Sequence, residues 1–177
     1  MSDLFDKVTS SQDIFKKILG KIPGFGGYIE RENRRSADKL LRDNIASRFE
    51  EVWKRISDVQ KDLVNQGAIE YLDDMESSAV KFRQFIDRVR NASYGYSGLF
   101  DAVKINEAEL ALVYQYDLEM LNLADEANRA VDNVESSIGS EGLPAAIRNL
   151  NSQATIAVKT FNKRAEIVLG SQDQPSQ

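Results

Sequence analysis

Hydrophobic residues recur along this chain at spacings of three and four, which is the period of an α-helix with one buried face. The clearest stretch carries two interleaved rows that each repeat every seven residues: Phe49, Ile56 and Leu63, and Ile45, Val52 and Val59. Such an a/d pattern is typical of helices that pack against other helices. It predicts a long helix over about residues 29–65, with Gly67 as the C-terminal stop.

Three more long helices follow from the same spacing, over about residues 69–92, 107–138 and 143–170. Asn106 and Glu109 have the spacing of a capping box at the start of the second of these. Pro144 suits the first position of the last helix. A short amphipathic helix over about residues 10–22 ends at Pro23, and a glycine-rich hinge follows it.

These elements predict an all-α fold, an elongated antiparallel four-helix bundle of long amphipathic helices plus a short N-terminal amphipathic helix. Residues 1–28 form the N-terminal helix and hinge, residues 29–170 the bundle, and residues 171–177 a disordered tail. We expect neighbours along the chain to pack antiparallel, because their connections are short.

The composition lacks the residue types on which several common classes of catalytic site depend. The 177 residues include no histidine and no cysteine, which excludes Ser-His-Asp catalysis, thiolate chemistry and the common zinc sites. The net charge of -5 argues against nucleic acid as a partner. We expect no cofactor and a cytoplasmic protein, since neither a membrane span nor a secretory signal is evident.

The N-terminal helix gathers its apolar side chains on one face, with lysines beside them: Ile14, Phe15, Ile18, Leu19 and Ile22, flanked by Lys17. Two interpretations stay open. The face could pack on the bundle, as most apolar helix faces do. It could instead lie on an anionic membrane surface, with the glycine hinge letting it swing away, which would make the protein peripheral to the membrane.

A dense basic run begins the next helix: Arg31, Arg34, Arg35, Lys39 and Arg42. These cations could contact phosphates or acidic partners. Interleaved acids, as in the pair Asp38–Arg42, also suit salt bridges along a solvated face. The acidic helix over residues 107–138 is a further destination for these charges.

Asp117 interrupts the apolar stripe of that acidic helix, with Tyr114 one turn before it. A buried carboxylate requires a partner, so we predict a buried polar layer closed by Arg83, Arg42 or Arg48. The alternative is a carboxylate-based divalent-cation site formed with Glu107.

Aromatic residues cluster beside glycines between the two halves of the predicted bundle, at Tyr94, Tyr96 and Phe100. Such a segment could be a recognition loop. It could equally be a corner whose aromatics close the end of the core.

The stretches GYIERENRRSADKLLRDNIASRFE and YGYSGLFDAVKINEAEL resemble segments of uncharacterised bacterial proteins predicted to be all-helical. The resemblance covers about residues 27–138 and implies a fold without an activity. The layout is also similar to that of phage-shock and ESCRT-III-like membrane remodellers, although their long hairpin would be interrupted here at Gln66 and Gly67.

The sequence thus predicts a non-enzymatic scaffold or adaptor that acts through protein–protein contacts, self-association included. Two alternatives remain. One is a peripheral membrane protein anchored by the N-terminal helix, and the other is a divalent-cation binder.

Overall fold

The computed structural model describes the backbone of residues 2–30, 34–92 and 107–170, and the side chains of residues 12–27, 36–92 and 108–170. All regular structure in these ranges is helical. The helices are α1 (Ser2–Lys21), α2 (Phe25–Glu30), α3 (Arg34–Asn65), α4 (Leu72–Asn91), α5 (Glu107–Ser137) and α6 (Leu143–Gly170), with a 3₁₀ turn at Ile69–Tyr71. The predicted cap at Asn106 lies outside the described residues.

Glycines end two of the long helices, and Gly67 does so in the way that the sequence predicts. At the end of α3, Gly67 has a φ of 75°. Its N–H donates to the carbonyl of Val64, and the N–H of Ala68 donates to the carbonyl of Leu63. This pair of bonds is the Schellman motif, which satisfies carbonyls left open at a helix end. Gly139, after α5, has a φ of 81°.

The N-terminal part differs from the prediction in two ways. The first helix begins at Ser2 instead of near residue 10, and the hinge contains the short helix α2. Only Gly24, with a φ of 84°, takes the left-handed conformation there. The predicted long helix over residues 29–65 is described as α3 from Arg34 onward, and residues 31–33 lie outside the described residues.

Four pairs of long helices pack side by side: α3 with α4, α5 with α6, α3 with α5, and α4 with α6. Glu50 pairs with Arg90, and Gln60 with Glu76, so α3 and α4 run antiparallel. The helices α5 and α6 are antiparallel by the same criterion, because Asp117 pairs with Arg164 and Thr160 contacts Glu119.

The other two pairs run parallel. Along α3 and α5, Arg48 pairs with Asp125 and Arg55 with Asp132, so both helices advance together. Along α4 and α6, Lys81 pairs with Asn151 and Arg88 with Asn162, so these two helices also advance together. The expectation of antiparallel packing thus holds for the pairs joined by short turns. It does not extend to α4 and α5, which are joined by the longer segment 92–106 and are not a packed pair.

The main hydrophobic core runs between the four long helices, and a small separate cluster joins Val113 of α5 to Val168 of α6. Its centre is aromatic: the ring of Phe85 lies 4.6 Å from that of Phe49 and 6.2 Å from that of Phe161. Both contacts are edge-on, the arrangement that aromatic quadrupoles favour. Ile18, Ile22 and Phe25 belong to the same core, which therefore includes the N-terminal helices.

No helix in the described part of the chain is long and apolar enough to cross a membrane.

Candidate functional site

Four charged side chains are buried together between the long helices, and we call them the buried charge network: Asp38 and Arg42 from α3, Asp117 from α5 and Arg164 from α6. None is more than 3% exposed. Buried charges are costly unless they are paired and hydrogen-bonded. Two acids and two arginines make the network neutral overall.

Arg164 is the centre of this network. Its Nε donates to Asp117 Oδ1 at 2.6 Å, and its Nη2 lies 3.3 Å from Asp117 Oδ2. Nη2 also donates to Asp38 Oδ1. Because α3 and α6 are not a packed pair, Arg164 reaches across the middle of the four helices. One guanidinium thereby joins α3, α5 and α6.

Arg42 extends the network to the fourth long helix. Its Nε donates to Asp38 Oδ2 at 2.7 Å. Its Nη1 donates to the carbonyls of Val89 and Arg90 at 3.2 Å each. These carbonyls belong to the last turn of α4, where backbone acceptors lack helical partners and the helix dipole favours a cation. Every long helix thus contributes to one hydrogen-bonded cluster.

Burial and the neighbouring charges shift the pKa values of Asp117 and Arg164 in opposite directions. Burial raises the pKa of Asp117 from 3.8 to about 6, and Arg164 only partly opposes this effect. For Arg164, burial favours the neutral form, but Asp117 and Asp38 outweigh it and raise the guanidinium pKa above its ordinary value. Arg164 is therefore a permanent cation, and the pKa of Asp117 lies close to neutral pH.

The contacts of this network suit a structural role. Each carboxylate oxygen of Asp38 and Asp117 already accepts a guanidinium N–H. A metal ion would have to compete with two arginines for these oxygens in a site closed to solvent. Across the described residues, no group of three acidic side chains could hold a metal ion.

Tyr114, the second member of the predicted polar layer, lies beside the network and is 7% exposed. Phe25 of α2 meets its ring edge-on at 5.8 Å between centroids. This contact ties the N-terminal segment to α5 one turn away from Asp117.

Two predictions about the charged residues are wrong. The predicted pair Asp38–Arg42 forms, but this pair and the end of α4 bury Arg42, which therefore does not lie on an exposed basic patch. The partner of Asp117 is Arg164, whereas Arg48 pairs with Asp125 and Arg83 with Asp87. Of the rest of the basic patch, Arg31 and the side chains of Arg34 and Arg35 lie outside the described residues, as do Tyr94, Tyr96 and Phe100.

Arg164 is not predicted in the polar layer, and Asp38 is predicted only as a salt-bridge partner of Arg42 on a solvated face, although the positions of both residues carry a further signal. Phe161, Arg164 and Val168 follow one another at spacings of three and four, so Arg164 occupies a position in the apolar stripe of α6. Asp38 lies seven residues before Ile45, so it occupies a position in the apolar stripe of α3. A search for charged residues at stripe positions would have found both, together with Asp117.

The N-terminal apolar face packs against the long helices. Ile18 and Ile22 are fully buried, and Ile14 and Phe15 are partly buried against the same core. Leu19 and Lys17 are exposed. The face that was considered for lipid is thus largely in contact with protein in this conformation.

Polar contacts hold the end of α1 in place. Lys21 and Arg48 both pair with Asp125 of α5, at 3.1 and 3.6 Å. Nη2 of Arg48 also donates to the backbone carbonyl of Lys21 at 3.0 Å. An arginine from α3 therefore satisfies a terminal acceptor of α1 while it pairs with α5.

A shallow groove with a cavity of about 230 Å³ lies on the outer side of the α3–α4 pair, and we call it the α3–α4 groove. It is lined by Trp53, Ser57 and Gln60 of α3 and by Glu76, Ala79, Val80, Arg83 and Gln84 of α4. Trp53 is half-buried and is the only tryptophan of the chain. The Arg83 guanidinium lies over its ring, 5.3 Å from the centroid, a cation–π contact.

A second cavity, of about 510 Å³, opens between α4 and α6 and is more polar. It contains the cations Lys81 and Arg148 together with Asp74. Lys81 already donates to Asn151 at 2.5 Å. Since the lining carries both signs of charge and no buried unpaired group is known there, it does not select a class of ligand.

Comparison of the chain with protein-family profiles, with curated proteins and with solved structures finds no match in any of the three. The resemblance to bacterial all-helical proteins therefore stays a prediction, and function has to be argued from the chain itself.

Proposed function

We propose that this protein is a non-enzymatic scaffold or adaptor of the cytoplasm, which acts through protein–protein contacts on the outside of an elongated four-helix bundle. In this bundle, one antiparallel hairpin consists of α3 and α4, and the other consists of α5 and α6. The observation that carries the proposal is the α3–α4 groove, where an accessible tryptophan and arginine lie together on an outer helix face.

The residue types of this groove support a contact surface. Tryptophan and arginine are enriched among the few residues that contribute most of the binding energy in protein interfaces. Most charged residues, in contrast, are depleted from the centre of an interface. Val80 adds an exposed aliphatic side chain to the same groove. The polar residues Gln60, Glu76 and Gln84 surround this centre, as a rim does in an interface.

The buried charge network supports the same proposal from the interior. It links all four long helices and is closed to solvent, so it offers a substrate neither access nor an unsatisfied carboxylate. A rigid set of helices with a fixed register is what a binding surface requires.

The proposal is tested by measuring the mass of the protein in solution and by affinity capture from extracts of its source. Light scattering after gel filtration gives the mass, and capture is repeated with Val80→Asp, which places a charge in the groove. We expect an assembly or a partner that is weakened by Val80→Asp and unaffected by Ile156→Asp, a matched change at an exposed position of α6. A strictly monomeric protein that captures no partner would refute the proposal.

A further inference from the structure

We infer that the occupant of the α3–α4 groove is a second copy of this chain, docked about a two-fold axis that passes close to Ala79 and Val80. This inference rests on the proposed function, because it names the partner of the surface proposed above. It follows from three features of the groove: its exposed apolar residues, the arrangement of its charges and the small residue at its centre.

The first feature is the position of exposed apolar side chains. Val64, Ile69 and Val80 are 53%, 62% and 45% exposed, and all three lie on the α3–α4 hairpin. Val64 follows Trp53 by eleven residues, which is three helical turns, so both belong to one face of α3. The face thus continues from the groove to the tip of the hairpin, where Ile69 stands in the turn.

The second feature is a self-complementary charge pattern. Glu76 and Arg83 line the same groove, four residues before and three residues after Val80. In a two-fold interface, residue i of one copy meets residue j of the other, and residue j meets residue i. When two α4 helices cross antiparallel at Val80, each Glu76 faces the partner's Arg83, and two identical ion pairs form.

The third feature is the small residue at the centre. Ala79 lies between these charges on the floor of the groove, and its short side chain lets two helices approach closely. Ser57 of α3 is the corresponding small residue opposite it. Trp53, one turn away, can then be covered by the partner's α3, which would bury a large aromatic surface.

The present contacts of the two charged residues are weak enough to be exchanged. Oε2 of Glu76 accepts a bond from the exposed amide of Gln60 at 3.0 Å. Arg83 contacts Asp87 through Nε at 3.5 Å, and both of these side chains are about half exposed. The Arg83 guanidinium also lies over the Trp53 ring, 5.3 Å from its centroid, and such a contact at an exposed site is weak as well. Exposed pairs of this kind contribute little to stability, so forming pairs with a second copy costs little.

The experiment is a charge swap across the predicted axis. The variants are Glu76→Arg, Arg83→Glu and the double variant, with Val80→Asp as a disruptive change and Ile156→Asp as the matched control outside the groove. Sedimentation equilibrium from roughly 1 to 100 µM gives the dimer Kd. Emission of Trp53, the sole tryptophan, reports whether the groove itself is covered, and circular dichroism verifies that each variant is folded.

We expect the wild type and Ile156→Asp to dimerise alike, with Trp53 emission that shifts to the blue as the dimer forms. Each single charge reversal should weaken the dimer tenfold or more, since like charges then face each other, and the double variant should restore it. A monomeric wild type overturns the inference, as does a dimer that is insensitive to Val80→Asp or is not restored by the swap. A monomer that still captures a different protein through the groove refutes the second copy and leaves the proposed function intact.

Discussion

The pKa of Asp117 predicts a pH dependence of stability that belongs to one side chain. Its value rises from 3.8 to about 6 because the carboxyl is fully buried, and Arg164 does not fully compensate. The pKa in the folded state lies above that of the unfolded chain. At pH values between the two, the folded protein therefore holds a proton on Asp117 that the unfolded chain has released. The stability contribution is therefore fully present below about pH 4 and is lost as the pH rises through about 6.

The magnitude follows from the two pKa values. A difference between 3.8 and about 6, at 1.36 kcal/mol for each pKa unit, corresponds to about 3 kcal/mol. Asp117→Asn removes this titration while it keeps the shape of a neutral carboxyl. Relative to Asp117→Asn, the wild type should thus lose about 3 kcal/mol of unfolding free energy between about pH 4 and pH 7.

Urea denaturation followed by circular dichroism measures this difference, with both proteins unfolded at the same series of pH values. Titrating groups outside the buried charge network affect the two proteins alike, so they cancel in the comparison. A ¹³C resonance from the Asp117 carboxyl should titrate near pH 6 as an independent check. Unfolding free energies that stay parallel over the whole range would show that Arg164 compensates burial completely.

Three further predictions follow from the fold. Arg164→Met removes the centre of the buried charge network and should destabilise the protein by about 3 kcal/mol near neutral pH, and by less near pH 4, in the same urea assay. Gly67→Ala should cost about 1 kcal/mol, because Gly67 has a φ of 75°, whereas Gly20→Ala within α1 should stabilise slightly; thermal melts that rank them the other way contradict this. Because Ile18 is packed in the core, the folded protein should not co-sediment with anionic liposomes, and binding at neutral pH would show that α1 can leave the long helices.

The periodic apolar pattern was sufficient to predict the helices and most of their ends. Helical spacing and glycine stops are local properties of the sequence, so α3, α4, α5 and α6 could be located to within a few residues at most ends. The start of α1 was placed too late, because its first turns carry fewer apolar residues and the prediction depended on the stripe of Ile14 and Ile18.

The partners of the buried charges could not be predicted in the same way. The spacing of Asp117 showed that it lies on a buried face, but which arginine reaches it depends on how the helices are ordered in space. Arg42 illustrates the same limit, since a position four residues after Asp38 suits both an exposed and a buried pair. Burial of these residues follows from helix neighbours that are distant in sequence.

Interhelix charge pairs explain why α5 lies beside α3 instead of α4. An order with α4 and α5 as neighbours could bury similar apolar stripes, so the stripes alone do not decide between the two. Only the observed order brings Arg55 to Asp132 and Glu135, and Arg48 to Asp125. Each exposed pair contributes at most about 1 kcal/mol, but specificity is a difference between arrangements, and the other order would leave the acidic residues of α5 without these arginines. The surface pairs thus favour the observed helix neighbours, and the buried charge network joins all four long helices in one register.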